Sequence, residues 1–114
     1  RDRPSALTPR LHIRAGMPYI APVDGKAGGT WIAVNETGLS LCLLNGNGAV
    51  PRASESRGLV IPQLIAAASL DELMSRWQAL PLEPYAPFQL LGLQQQPLLL
   101  TWNGLSKSTR APVR

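Results

Sequence analysis

A strand–turn–strand segment in the first half of the chain constrains the fold more than any other feature. Residues 30–35 are rich in β-branched and aromatic side chains, residues 36–38 form a short polar turn that ends in Gly38, and residues 39–44 are apolar except for Ser40. This pattern predicts a β-hairpin. Because its second strand is apolar on nearly both sides, we expect an internal strand with layers above and below it.

Two helices are predicted after this hairpin. Ser56 is a candidate N-cap for a helix over about residues 58–68, in which Pro62 is tolerated only in the first turn. Residues 69–72 form a Ser-x-x-Glu capping box, which predicts the start of a second helix. An apolar stripe with the spacing i, i+3, i+4 and i+7 faces the expected sheet in that helix. It consists of Leu70, Leu73, Met74 and Trp77.

The remaining strands are predicted from turn signals. Prolines make residues 1–22 an extended lead-in with at most a short strand near residues 19–21. Residues 88–93 and 97–102 predict a second hairpin, and no closing element is expected after Gly104. Hairpins that alternate with helices favour an antiparallel or mixed sheet in an α+β fold. The helices cover one face of this sheet, and little of the chain remains to cover the other, so we expect an incomplete domain.

Composition limits the possible functions. The 114 residues allow one domain, 45% of them are hydrophobic, and the net charge of +4 comes from scattered basic residues. A nucleic-acid groove would need clustered basic residues interleaved with aromatic ones, so no nucleic-acid partner is expected. No apolar run approaches the ~20 residues of a membrane span. A single cysteine, Cys42, is typical of a reducing compartment, and we therefore expect a cytoplasmic protein.

Individual residues allow structural and functional interpretations. Asn45 precedes Gly46 and is either a turn residue or a functional amide at a strand end. Arg57 either binds an anion at a helix start or is a solvated side chain. Cys42 is expected to be an inert buried thiol. His12 has no cysteine or carboxylate at ligand spacing, so no metal site and no cofactor are predicted. Trp31 and Trp102 are expected in the core.

Three segments resemble the motifs of one family in sequence and in order. Residues 21–38 contain Ala-Gly-Gly-Thr-Trp-Ile-Ala-Val-Asn, residues 43–45 are Leu-Leu-Asn, and residues 56–60 are Ser-Arg-Gly-Leu-Val. They resemble the AGGTW(L/I)GVN, LTN and SRG-L-V segments of the NRDE family, which is the family of transport and Golgi organisation protein 2. Arg1-Asp2 is similar to the centre of the NRDE motif itself. The recognisable match ends near Ala79.

The resemblance implies a fold of the N-terminal-nucleophile hydrolase type, an αββα sandwich. In the family a cysteine follows the initiator methionine on the first strand, and the NRDE motif lies on the strand paired with it. Residues 1–114 are therefore expected to be a single partial domain that lacks its first strand, upstream of Arg1, and its C-terminal part.

The resemblance also implies site residues. Residues 34–45 resemble a hairpin of the bile-salt and penicillin V acylases, in which an Asn after the strand supplies an oxyanion-hole donor and an Arg and an Asp attend the nucleophilic thiol. Carried over, this implies catalytic roles for Asn45, Arg1 and Asp2. From their chemistry, Arg57 and Gly46 are the predicted substrate-binding residues, because Arg57 can bind an anion at a helix start and a glycine lets backbone approach a ligand closely.

The resemblance implies two possible functions. A third possibility is a structural fragment with no site of its own. The first is a cysteine N-terminal-nucleophile amidohydrolase that acts on a small acyl-amide or peptide-like substrate. Its nucleophile lies upstream of Arg1, so the chain by itself is expected to be inactive. The alternative is a non-enzymatic protein of the same fold that binds or transports a small ligand such as haem or a lipid. Either function requires a small-molecule partner.

Overall fold

The predicted hairpin forms the centre of one antiparallel sheet. The computed structural model describes residues 8–22, 29–45 and 55–111. The strands are β1 (Arg10–Arg14), β2 (Met17–Ala21), β3 (Ile32–Asn35), β4 (Ser40–Asn45), β5 (Phe88–Gln94), β6 (Gln96–Trp102) and β7 (Lys107–Arg110). The helices are α1 (Val60–Leu64), which follows a 3-10 turn at Arg57–Leu59, and α2 (Leu70–Ala79). The seven strands lie in the sheet in chain order, and each pairs antiparallel with the next.

Both predicted hairpins are confirmed. Strand β4 lies between β3 and β5, where Leu41 pairs with Ala33 on one side and with Gly92 on the other. Leu41 is completely buried. The expectation of an internal strand is therefore correct for β4, and the long ladder to β5 joins the two hairpins into one sheet.

The two edge strands, β1 and β7, are not predicted by the sequence pattern. Strand β1 lies within the segment expected to be a proline-rich lead-in, and its turn to β2 places Ala15 at φ 51° and Gly16 at φ 79°. Alanine is rare in this left-handed region. The turn was not recognised because Ala15-Gly16 lacks the Asn-Gly or Asp-Gly pattern that marks such turns in a sequence. Strand β7, after Gly104, is short and polar, a composition common at sheet edges.

The first helix is shorter than predicted. Ser56 is a cap as expected, because its Oγ accepts a hydrogen bond from Gly58 N at 3.2 Å. However, only the 3-10 turn and the five-residue α1 form within the predicted range 58–68. Pro62 lies in the first turn of α1, where its missing N–H costs no intrahelical bond.

The capping box of α2 is confirmed. Ser69 Oγ accepts from Glu72 N at 3.1 Å, and Glu72 Oε1 accepts from Ala68 N at 2.9 Å. The bond from Ala68 N–H, followed by that from Arg76, holds the pKa of Glu72 below its ordinary value. On the predicted apolar stripe, Leu73 and Trp77 are buried.

Two contacts fix α2 on the sheet. Gly92 gives the helix room, because a Cβ at this position would lie 2.8 Å from Leu73 Cδ2. At the other end of the helix, Lys107 Nζ on β7 donates to the carbonyl oxygens of Trp77, Gln78 and Leu80 at 2.7, 3.0 and 2.6 Å. A cation at a helix C-terminus satisfies carbonyls that lack intrahelical partners. Lys107 therefore joins an edge strand to the helical layer.

The opposite face of the sheet is apolar and uncovered by any element within the described ranges. Side chains alternate along a strand, so the residues between the buried ones point to this face. Large exposed members are Leu11, Ile13, Ile20, Ile32, Val34 and Leu93. The α+β class and the helical layer are thus confirmed, whereas the second layer expected below β4 is not among the described residues. We call this surface the open face.

The Asn35 side chain joins the sheet to the helical layer. Its Nδ2 donates to Ile65 O at 2.8 Å and Ala67 O at 2.7 Å, both in the linker between α1 and α2. Its Oδ1 accepts from Thr37 N, Thr37 Oγ1 and Leu39 N, which close the turn between β3 and β4. Asn35 is buried, so these groups depend on the side chain rather than on water.

We predict that Asn35→Ala lowers the free energy of unfolding by about 3 kcal/mol or more, because it leaves several buried donors and acceptors without partners. Urea denaturation measures this loss. Glu36→Ala, at the exposed neighbouring position, is the matched control and should have little effect.

Asn35→Asp adds a test of the direction of the bonds. A carboxylate would face the carbonyl oxygens of Ile65 and Ala67, which raises its pKa above that in the unfolded chain. Stability of this variant relative to the native protein should therefore fall as pH rises above about 4. A difference independent of pH would contradict the assigned orientation of the amide.

Candidate active site

The end of β4 and the beginning of β5 bring the described candidate residues to one edge of the sheet. Asn45 is the last residue of β4 and pairs with Phe88, the first residue of β5. Two residues earlier on β4, Leu43 N donates to Trp31 O at 2.8 Å. Only the position of Asn45 in the strand is described, and its side chain is not.

Arg57 lies at the same edge. Its Nη1 donates to Pro87 O at 2.8 Å, and Pro87 immediately precedes the Phe88 that pairs with Asn45. The guanidinium is half-buried and joins the 3-10 turn to the start of β5. It is therefore held by the protein rather than freely solvated, and its position next to the strand pair of Asn45 follows from this bond.

A close contact between two glycines sets the distance of the 3-10 turn from the sheet. A Cβ on Gly29 would lie 2.6 Å from both C and O of Gly58, so neither backbone leaves room for a side chain at Gly29. Thr30 N also donates to Gly58 O at 2.9 Å. Because Gly58 follows Arg57, this contact fixes the chain that carries the guanidinium.

Trp31 and Trp102 were both predicted to be buried, and only Trp102 is. Trp102 is buried and its Nε1 donates to Tyr85 O at 2.9 Å, as expected of a core residue. Trp31 instead is 53% exposed, so its assignment to the core is wrong. Trp31 lies two residues before the buried Ala33 and so on the same face of the sheet, but the sequence does not show where the helical layer over that face ends.

Other candidates are placed elsewhere or lie outside the described residues. Arg1, Asp2 and Gly46 belong to the undescribed ranges. His12 stacks on Tyr19 with ring centroids 5.1 Å apart, and its Nε2 lies 3.2 Å from Ala21 O. Cys42 is a half-buried free thiol in the middle of β4, with Ile32 and Leu91 as its strand partners.

A shallow apolar hollow lies away from this edge. Its volume is about 260 Å³, and it is lined by residues of β1, β2 and β3 including Leu11, Pro18, Ile20 and Val34. Glu36, in the turn that follows β3, also lines it. The hollow therefore lies toward the opposite end of β3 from Trp31 and largely on the open face.

The described architecture is that of an α+β protein in which two short helices cover one face of an antiparallel sheet. The family model of Transport and Golgi organisation 2 matches residues 2–112, and the chain belongs to this family. No curated protein matches the chain significantly in sequence. Within the described residues no helix is long and apolar enough to cross a membrane.

The glycine contact yields a matched pair of variants. Gly29→Ala should lower the free energy of unfolding by about 1–3 kcal/mol or more, because backbone must move to relieve the overlap. In Gly58→Ala the new Cβ would lie 3.4 Å from Gly29 Cα, so this variant should cost much less. Thermal unfolding of both variants measures the difference. Equal stabilities would contradict the described approach of the two chains.

Proposed function

We propose that this chain carries part of the active site of a cysteine N-terminal-nucleophile amidohydrolase that acts on a small acyl-amide or peptide-like substrate. The nucleophile is a cysteine that precedes Arg1. The proposal rests on the family membership and on the hairpin of residues 34–45, whose sequence resembles that of cysteine acylases.

The observation that supports the proposal most is the position of Asn45 in the strand ladder. Its pairing with Phe88 holds its backbone at the end of an internal strand. An oxyanion-hole donor has to be held rigidly, because its contribution depends on preorganisation. The pairing with Phe88 supplies this support for the backbone of Asn45.

The proposed reaction requires no metal ion. The cysteine thiolate attacks the carbonyl carbon of the amide, and the carbonyl oxygen becomes an oxyanion that receives a hydrogen bond from the Asn45 amide. The α-amine of the same cysteine takes the thiol proton and returns a proton to the departing amine. Water then attacks the thioester, which releases the carboxylic acid and regenerates the thiol.

Charged residues assist the thiol and the substrate in this proposal. Arg1 favours the thiolate by its positive charge, and Asp2 orients the α-amine. Arg57, anchored on Pro87 O, brings a positive charge to the edge where Asn45 ends its strand. We assign it to an anionic or polar part of the substrate, and Gly46 to close backbone contact with the ligand.

We also propose that a second sheet covers the open face, which completes the αββα sandwich. The apolar character of Ile20, Ile32, Val34 and Leu93 supports this, since monomeric proteins rarely expose a contiguous apolar surface of this kind. Sheets that pack face to face bury such residues between them.

The apolar hollow favours the alternative function, a non-enzymatic protein that binds haem or a lipid. Its lining by Leu11, Pro18, Ile20 and Val34 suits an apolar ligand. The same side chains belong to the surface that the sandwich would cover. We therefore favour the hydrolase, and the two functions differ in what they require of the open face and of the nucleophile.

Asn45→Ala should lower kcat by about 100- to 1,000-fold with little change in KM, because the lost donor acts on the oxyanion. Hydrolysis of a chromogenic anilide by the natural gene product measures both constants. Asn103→Ala is the control, since Asn103 Oδ1 caps a turn by accepting from Leu105 N and Ser106 N. If Asn45 is only a turn residue, both variants will lose stability and both will retain the kcat of the unaltered protein.

Covering of the open face is tested at Cys42. In the natural gene product a maleimide should modify Cys42 only as fast as the core opens, because the second sheet buries the thiol. Mass spectrometry of the peptide that contains Cys42 separates this reaction from that of other cysteines. Modification of folded protein at the rate of a free cysteine would contradict the sandwich and favour an accessible ligand-binding face.

A further inference from the structure

Trp31 is an exposed aromatic residue on a rigidly held backbone. Of the three tryptophans in the chain, Trp77 and Trp102 are 0% and 6% exposed, whereas Trp31 is 53% exposed. A side chain exposed to this extent gains little from burial in this chain, and its aromatic surface is available for contact with a ligand.

The backbone on both sides of the indole is fixed by hydrogen bonds. Trp31 O accepts from Leu43 N at 2.8 Å, and the preceding Thr30 donates from its N to Gly58 O at 2.9 Å. Thr30 Oγ1 also donates to Ile32 O at 3.0 Å. An aromatic side chain with few rotatable bonds, carried on such a backbone, is well suited to ligand contact because little entropy is lost on binding.

Connectivity places Trp31 at the proposed active-site edge. Leu43, its partner on β4, lies two residues before Asn45. On its other side, Trp31 lies two residues after Gly29, which contacts the Gly58 that follows Arg57. Trp31 is thus joined by one backbone contact to the strand of the proposed oxyanion donor and by another to the chain that carries the anchored guanidinium.

We propose that Trp31 is a specificity-determining residue that stacks against a flat apolar ring in the acyl part of the substrate. This inference rests on the proposed amidohydrolase function and narrows its substrate class. Stacking on an indole favours a ring over a short alkyl group. Arg57 precedes the Gly58 that contacts this segment, and its positive charge disfavours a cationic ligand.

The test compares two substrates that share one leaving group. The 4-nitroanilides of phenylacetic acid and of acetic acid differ in the presence of the ring. In the natural gene product, Trp31→Ala should raise KM for the phenylacetyl anilide about tenfold, with kcat unchanged, and leave KM for the acetyl anilide unaltered. Trp31→Phe should restore most of the affinity. The control is Leu105→Ala, at a 90% exposed apolar position in the turn between β6 and β7, which should change neither KM.

An equal change for both substrates would show that Trp31 acts through the structure, and no change for either would show that it does not contact the substrate. Both results overturn the inference. If the unaltered protein hydrolyses neither anilide, the proposed function fails, and binding of phenylacetamide is measured instead by tryptophan fluorescence. Saturable quenching in the unaltered protein that is lost in Trp31→Phe would support the contact between Trp31 and the ring. Absence of saturable quenching would overturn it.

Discussion

The side chain of Asn35 is the interaction on which the relation of helices to sheet depends. One amide group donates to two carbonyl oxygens of the α1–α2 linker and accepts from groups that close the β3–β4 turn. Helix α1 has only five residues, and a helix of this length is not stable by itself. It forms because the linker after it is held on the sheet, where Val60, Ile61 and Leu64 are completely buried. The carbonyls of Ile65 and Ala67 are satisfied by Asn35, which explains why the linker can leave the helical path.

A second junction, at the other end of β3, connects the fold to the proposed site. Gly29 and Gly58 belong to two separate segments that resemble the NRDE family, and their backbones touch. The resemblance therefore coincides with a packing contact, which is a structural reason for Gly29 and not by itself a sign of catalysis. The residues proposed to act on the substrate flank this contact: Arg57, one residue before Gly58, is bonded to Pro87 O, and Trp31, two residues after Gly29, presents its indole to solvent. The fold thus supports a site without specifying the reaction, which is proposed from the family and from Asn45.

Features with a strong local signal were predictable from the sequence. The β3–β4 and β5–β6 hairpins and the Ser69 cap of α2 follow from alternation and capping chemistry, and they agree with the structure. The edge strands β1 and β7 were not predictable. Ala15 takes an unusual positive φ in the turn after β1, and every residue of β7 is polar. Tertiary contacts were also beyond local patterns: the buried network of Asn35 joins residues about 30 positions apart. For the same reason the exposure of Trp31 and the bond between Arg57 and Pro87 could not be read from the sequence.

In the proposed function, the end of the sheet where Asn45 and Arg57 lie serves a thiol nucleophile at the N-terminus of the natural protein. The most direct test is to mix that protein with an acyl 4-nitrophenyl ester, which acylates the thiol quickly enough for the intermediate to accumulate, quench the reaction in acid during turnover, and locate the acyl group by mass spectrometry. We expect up to one acyl group per molecule, bound as a thioester to the N-terminal cysteine, because the reaction passes through this intermediate. Turnover without an acyl adduct on that cysteine, or an adduct confined to Cys42 in the middle of β4, would contradict it.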